Sequence, residues 1–299
     1  CLEEVIAVDG PRYAALSKGA PMAMAAREAQ DPAWLFYTSG TTGRPKGVTL
    51  TQKNVMAAIL NYFSDVDAIA PGDAIIHAAP MSHGSGFYML PHVAHAGLNV
   101  VPESGGFDAP EIYALLQAHR GVSMFAAPTM VKRLVDFPGD ADTRNLKTIV
   151  YGGGPMYVAD CKAALARFGY KLVQIYGQGE SPMTITAMGK AMHADAAHPS
   201  WERRLASVGM PHTGMEVRIG DGYKGWPERA PFDSIVVTAA APSVPPALVA
   251  QLKPGGKLVI PVGGTWEIQE LLVVSKRADG SIESRKVLPV RFVPLVPGK

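Results

Sequence analysis

The chain has 299 residues, enough for one large domain or two ordinary ones, and 47% of them are hydrophobic against 18% charged. That balance belongs to a globular protein with a substantial core and argues against a disordered chain. A formal net charge of +2 with no basic run argues against a dedicated nucleic-acid binder.

The two cysteines, Cys1 and Cys161, are too few for a disulfide framework and lack metal-site spacing. Cys161 falls in a helical pattern as a buried thiol, which fits a reducing cytoplasm. No signal-peptide pattern is visible, and no apolar stretch could span a bilayer without meeting a proline. Cys1 rather than methionine opens the chain, as in a segment of a longer reading frame.

In chain order, residues 33–36 form a short apolar strand, "YTSGTTGRPKGV" (37–48) a flexible loop, and 54–65 a helix. Backbone N–H groups in such a loop can converge on an anion. Thr38, Ser39, Thr41 and Thr42 add hydroxyls, Gly40 and Gly43 leave the backbone uncovered, and Lys46 adds a mobile charge. This is polyphosphate-cradle chemistry. It departs from the usual P-loop, since Pro45 precedes the lysine and Gly47 follows it.

Strand-like runs follow at 74–79, 122–127, 146–151 and 171–176, with helix-like stretches at 109–120, 129–137 and 157–168. This alternation predicts an α/β fold: a largely parallel sheet with helices on both faces, whose ligands sit beyond the carboxyl ends of the strands. Each polar motif directly follows a strand. "PMSHGSG" (80–86) places His83 there, by itself a loop histidine. "YGGGPMY" (151–157) lacks the third glycine of a dinucleotide fingerprint and reads equally as a close-packed turn. "YGQGES" (176–181) puts Glu180 at a strand end, either a Mg2+ ligand or a solvated acid. No Gly-x-Ser-x-Gly elbow occurs, which weakens a serine-hydrolase reading.

The order and spacing of these loops, above all the Thr38–Lys46 string, resemble the acid–CoA ligase branch of the adenylate-forming superfamily over about residues 1–219. The resemblance implies a partial large domain that binds ATP and Mg2+, activates a small-molecule carboxylic acid such as a fatty acid, and passes it to CoA. It implies that Thr38, Ser39, Gly40, Thr41, Thr42, Gly43 and Lys46 handle the ATP β,γ-phosphates. His83 would lie at the acyl pocket, walled by Phe87 and Tyr88. Gly152, Gly153, Gly154 and Pro155 would contact adenine, Tyr176 would stack on it, and Glu180 would ligate Mg2+. Gly179 stands where the family usually has threonine, so a hydroxyl contact to the α-phosphate is missing.

After "ASVGMPHTGMEVRI" the ligase pattern of a ribose-binding aspartate, a hinge and a lysine-bearing small domain does not follow. Residues 220–299 instead resemble the C-terminal half of protein-L-isoaspartate O-methyltransferase, from "GDGYKGWPERAPFDSIVVTAAAPSVPPALVAQLKPGGKLVIPVGG" onward. That implies a partial Rossmann-like half, with strand 232–238, helix 244–252, strand 257–262 and a hairpin turning at Asp279-Gly280. Asp221 would approach the adenine of S-adenosylmethionine, and Thr238, Ala240, Val262 and Gly263 would border the peptide substrate. The glycine-rich loop for the methionine moiety is absent.

Three functions compete: impaired acid activation, methyl transfer, and a non-catalytic or promiscuous hybrid. The apolar strand at 232–238 would expose an open edge if left alone. The expectation is that a ligase-derived strand, such as residues 215–219, covers it, with a second copy of the chain (a homodimer) as the alternative. Residues 220–299 would then not fold independently.

Overall fold

The computed structural model describes residues 10–21, 23–38, 46–139, 142–264 and 267–298. Ser39, Gly40, Thr41, Thr42 and Gly43 lie outside the described residues, as do the side chains of Thr38 and Lys46.

Helix α1 (Pro11–Ser17) precedes an antiparallel hairpin of β1 (Pro32–Thr38) and β2 (Lys46–Thr51), in which Thr38 stands opposite Lys46. The sequence reading ran the loop straight into a helix; a strand intervenes. Its reason is local. In KGVTLT, Val48 and Leu50 turn inward while Gly47 and Thr49 are exposed, the two-residue period of a half-buried strand. Thr51 then caps α2 (Gln52–Asn61): its hydroxyl accepts from the Asn54 N–H at 3.3 Å, and its own N–H donates to Asn54 Oδ1 at 3.0 Å. A π-helical turn at Tyr62–Val66 continues the rod.

Among the described residues the central sheet has seven strands: β3 (Ala74–Ile76), β4 (Leu98–Val100), β5 (Val122–Ala126), β6 (Leu146–Tyr151), β7 (Leu172–Gln178), β8 (Ser181–Met188) and β9 (Met210–Pro211). Their order is β4-β3-β5-β6-β7-β8-β9. The first five run parallel, and β8 and β9 are added antiparallel. Between them lie α3 (Gly84–Phe87), α4 (Met89–Ala94), α5 (Ala109–Ala118), α6 (Pro128–Val135), α7 (Val158–Phe168), α8 (Lys190–Ala194) and α9 (Trp201–Leu205).

Successive strand residues enter opposite layers. Ile76, Ile149 and Leu172 pack with Ile112, Leu134 and Phe168 from α5, α6 and α7. Ile75, Val150 and Val173 pack with Ala58, Tyr62, Phe87 and Leu50 from the other side. A strand buried on both faces needs apolar residues at every position, which is why these segments read as continuous apolar runs.

The chain leaves the central sheet at Gly214, whose φ of 82° suits a residue without Cβ, with the Met215 N–H donating to the His212 carbonyl at 2.8 Å. Beyond it a second sheet is built from β10 (Phe232–Val236), β11 (Leu252–Val262), β12 (Gln269–Lys276) and β13 (Ile282–Val290), in that order, with α10 (Pro246–Ala250) between β10 and β11. β10 and β11 are parallel and the rest antiparallel. Its core of Ala241, Leu248, Leu252, Leu258, Ile260 and Val274 draws, among the described residues, on nothing before Tyr223.

This corrects one expectation. Residues 215–219 form no strand, and Ile219 is 98% exposed. Among the described residues no strand pairs with the outer edge of β10, where Val236 is 51% exposed. An apolar alternation without a partner does not make a strand. Exposed ion pairs, Glu216 with Arg229 and Arg218 with Glu228, link the segment to the turn before β10 instead.

Candidate functional site

The loops after β3, β6 and β7 emerge at the carboxyl edge of the parallel strands, where sheets of this kind leave a crevice. Just beyond β3, buried His77 makes two side-chain contacts of 2.9 Å, Nδ1 to Ser85 Oγ and Nε2 to Asn99 Oδ1. The amide oxygen only accepts, so Nε2 carries the proton and Nδ1 accepts from the serine hydroxyl. Burial pushes the His77 pKa below its ordinary value. This histidine clamps the loop of residues 80–86 to β4. Sequence reasoning missed it because it looked like one more strand position.

His83 itself is exposed, with Nδ1 3.0 Å from Ser82 Oγ and its ring edge-on to Phe36 at 5.8 Å. Next to it, Gly84 faces Phe125 and the Met183 sulfur so closely that a Cβ would stand 3.0–3.1 Å from them. The histidine loop is thus packed directly onto the β7–β8 hairpin. Phe87 and Tyr88, expected to wall the acyl pocket, are buried core residues that also border the cavities behind Glu180. Phe87 meets Trp34 at 5.6 Å, and Tyr88 meets Tyr62 at 4.9 Å and Phe125 at 6.0 Å. Phe87 ends helix α3 and Tyr88 follows it, and the inward turn of that helix buries both.

After β6, Gly152 is buried so tightly against β7 that a Cβ would lie 2.6 Å from the Ile175 carbonyl oxygen. Gly153, Gly154 and Pro155 are exposed. Tyr176, at the end of β7, is 37% exposed and its hydroxyl accepts from Gln178 Nε2 at 2.9 Å. The glycine run and Tyr176 therefore stand side by side.

Gln178 pairs with Ser181, leaving Gly179 and Glu180 as a two-residue hairpin loop. Glycine is favoured in such loops, which gives a local reason for its presence where threonine was expected. Glu180 is exposed and borders a cavity of about 140 Å3 with Asn54, Phe87 and Met215. Among the described residues no three His, Cys, Asp or Glu side chains gather as a metal cluster. A Mg2+ at Glu180 would draw its remaining ligands from phosphates and water, as this ion usually does.

Asp65 and His212, also missed, hold the last segment of the central sheet to the rod after α2. Asp65 Oδ2 accepts from His212 Nδ1 at 2.9 Å and from the Thr213 N–H at 2.8 Å, and Oδ1 accepts from the Thr213 hydroxyl at 2.8 Å. Burial alone would push the Asp65 pKa up, but these three donors outweigh it and hold the carboxyl below its usual range.

The second sheet carries the larger cavity, about 680 Å3, bordered by Arg218, Asp221, Trp226, Ile235, Thr238 and Leu295. Asp221 accepts from the Tyr223 N–H at 3.0 Å. The Arg218 and Arg229 guanidinium carbons lie 5.8 Å and 5.9 Å from the Trp226 ring centre. Ala241 bridges to Val262, so the stretches containing Ala240 and Gly263 adjoin.

A family model described as "AMP-binding enzyme" matches residues 3–230. The chain is also 40% identical over 146 residues to protein-L-isoaspartate O-methyltransferase 2 of Polaromonas sp., covering 46% of this chain and 68% of that protein. It is 62% identical over 79 residues to protein-L-isoaspartate O-methyltransferase 1 of Cupriavidus necator, 26% of this chain and 30% of that one. The chain belongs to the AMP-binding enzyme family, and part of it to the protein-L-isoaspartate O-methyltransferases. Among solved structures, the inhibitor-bound N-terminal domain of FACL13 from Mycobacterium tuberculosis aligns with a TM-score of 0.57 at 23% identity, over 70% of this chain and 53% of that one. That likeness supports the fold of the AMP-binding part. No described helix is long and apolar enough to cross a membrane.

Proposed function

We propose that the AMP-binding part, about residues 1–219, condenses ATP with a small carboxylic acid to an acyl-adenylate and pyrophosphate, and that CoA then takes the acyl group and displaces AMP, at a reduced rate. The observation that carries this reading is the gathering of the loops after β3, β6 and β7 along one carboxyl edge, with Glu180 at the tip of its hairpin. In this reading Lys46, with Thr38, Ser39, Gly40, Thr41, Thr42 and Gly43, offsets the charge of the leaving pyrophosphate. Glu180 holds Mg2+, Gly152–Pro155 and Tyr176 receive adenine, and His83 faces the acid. Catalysis of this kind is positioning and electrostatics, not covalent chemistry. After Ile219 no Thr-Gly-Asp follows in the sequence to hold the ribose hydroxyls. Each such lost contact costs on the order of a few kcal/mol in the transition state, so turnover falls by several powers of ten.

A second reading is favoured by the cavity on Asp221. In it residues 220–299, a separate unit by their separate core, bind S-adenosylmethionine by its adenine side. The absence of a methionine-binding glycine loop ranks it lower. A thermal-shift panel of Mg-ATP, AMP and S-adenosylmethionine tests the order, since a ligand at a hundred times its Kd adds about 2.7 kcal/mol. Mg-ATP and AMP should raise the melting temperature and S-adenosylmethionine should not. The reverse pattern would overturn the ranking.

A further inference from the structure

Behind Glu180, helix α2 and strand β8 enclose two adjoining cavities, an outer one of about 140 Å3 and an inner one of about 10 Å3. They share Ala58, Asn61, Phe87, Pro182 and Thr184 as a common wall. Two buried polar atoms belong to residues bordering the inner cavity and have no protein partner: the Tyr88 hydroxyl and His212 Nε2. Tyr88 is 4% and His212 2% exposed. Leaving either atom unmatched would cost its full desolvation penalty, and most buried polar atoms in folded proteins avoid that.

The chemistry of the two atoms is complementary to one group. His212 Nδ1 lies 2.9 Å from Asp65 Oδ2. That carboxylate only accepts, so Nδ1 carries a proton, and Nε2, when unprotonated, holds a lone pair. Tyr88 offers an O–H. An oxygen with both hydrogens and lone pairs can donate to Nε2 and accept from the tyrosine at once. The inner volume of about 10 Å3 is close to what a single water needs, and two polar partners meet the minimum for a buried one.

We propose that the inner cavity is a binding site for one ordered water, which links Tyr88 on α4's N-terminal flank to His212 after β9. The water completes a chain from Asp65 through His212 to Tyr88. That chain fixes the end of the central sheet against the face on which Phe87 and the Glu180 hairpin rest.

The sign of one substitution decides the matter. With water present, Tyr88→Phe removes a satisfied hydrogen bond, and the melting temperature should fall by about 2–4 °C. In a dry cavity the same change removes an orphaned hydroxyl, and the melting temperature should rise or stay level. The second readout needs no variant. In the unmodified protein a slowly exchanging water should show a nuclear Overhauser contact to the Tyr88 ring and to the His212 ring. An unchanged or raised melting temperature, or a water seen by neither ring, would overturn the proposal.

Discussion

Acid should loosen the central sheet through His92. This side chain on α4 is fully buried, its Nδ1–H donates to the Tyr88 carbonyl at 2.8 Å, and its Nε2 has no partner. Burial is the main cause that pushes its pKa down to about 4, with the Tyr88 carbonyl opposing and the nearby His77 and Lys147 adding to the fall; Asp73 acts the other way. In the unfolded chain the ring titrates near 6.5. Between these values the unfolded state binds a proton that the native state refuses, so stability drops as pH falls from about 6.5 to about 4 and then levels. The depression corresponds to about 3 kcal/mol. The assay is urea unfolding at pH 7.5 and pH 4.5 (conditions at about either end of the window), read by amide exchange in β5 and β6 so that only the central sheet reports. His92→Met should flatten the pH slope by about one proton. His77 and His193, also lowered by burial, leave the remaining slope in the same direction. If His92→Met lost stability in parallel with the parent, or if the His92 ring titrated near 6.5 by NMR in the parent itself, the reasoning would fail.

Lys46→Ala should weaken ATP more than AMP by calorimetric titration, because the lysine addresses the distal phosphates; equal losses would contradict that role. Glu180→Gln should chiefly reduce the Mg2+ dependence of ATP binding, measured by titrating the metal at fixed nucleotide. Gly152→Ala drives a Cβ to 2.6 Å from the Ile175 carbonyl and should cost about 1–3 kcal/mol in denaturant unfolding while spoiling nucleotide binding. Residues 220–299 expressed alone have a small core and the open β10 edge, so sedimentation should show association or aggregation; a cooperative monomeric transition would refute this.

Much of the fold was legible in the residues themselves. β5, β6 and β7 are apolar at nearly every position because both of their faces are covered, and α5, α6 and α7 carry the helical period between them. The same holds for the hairpin of β12 and β13, announced by Asp279-Gly280. β2 escaped notice because its alternation is short and begins beside Pro45 and Gly47. Residues 215–219 were misread in the opposite sense: the pattern was a strand's, but pairing, not pattern, makes a strand. At the site, glycines and Glu180 stood out as loop chemistry after strands. The Asp65–His212 contact could not, since 147 residues separate its partners.

The turn at Gly214 also bears on synthesis. Every strand of the central sheet precedes it, and every strand of the second sheet follows. At roughly 5–20 residues per second, the last 80 residues take about 4–16 s to emerge. That is ample time for the parallel sheet to close before β10 exists. The second sheet then pairs mostly between neighbours in sequence, β11 with β12 and β12 with β13, a low-contact-order task. A ribosome would thus deliver two folding problems in series, and an exchange of the later one need not disturb the solution of the first.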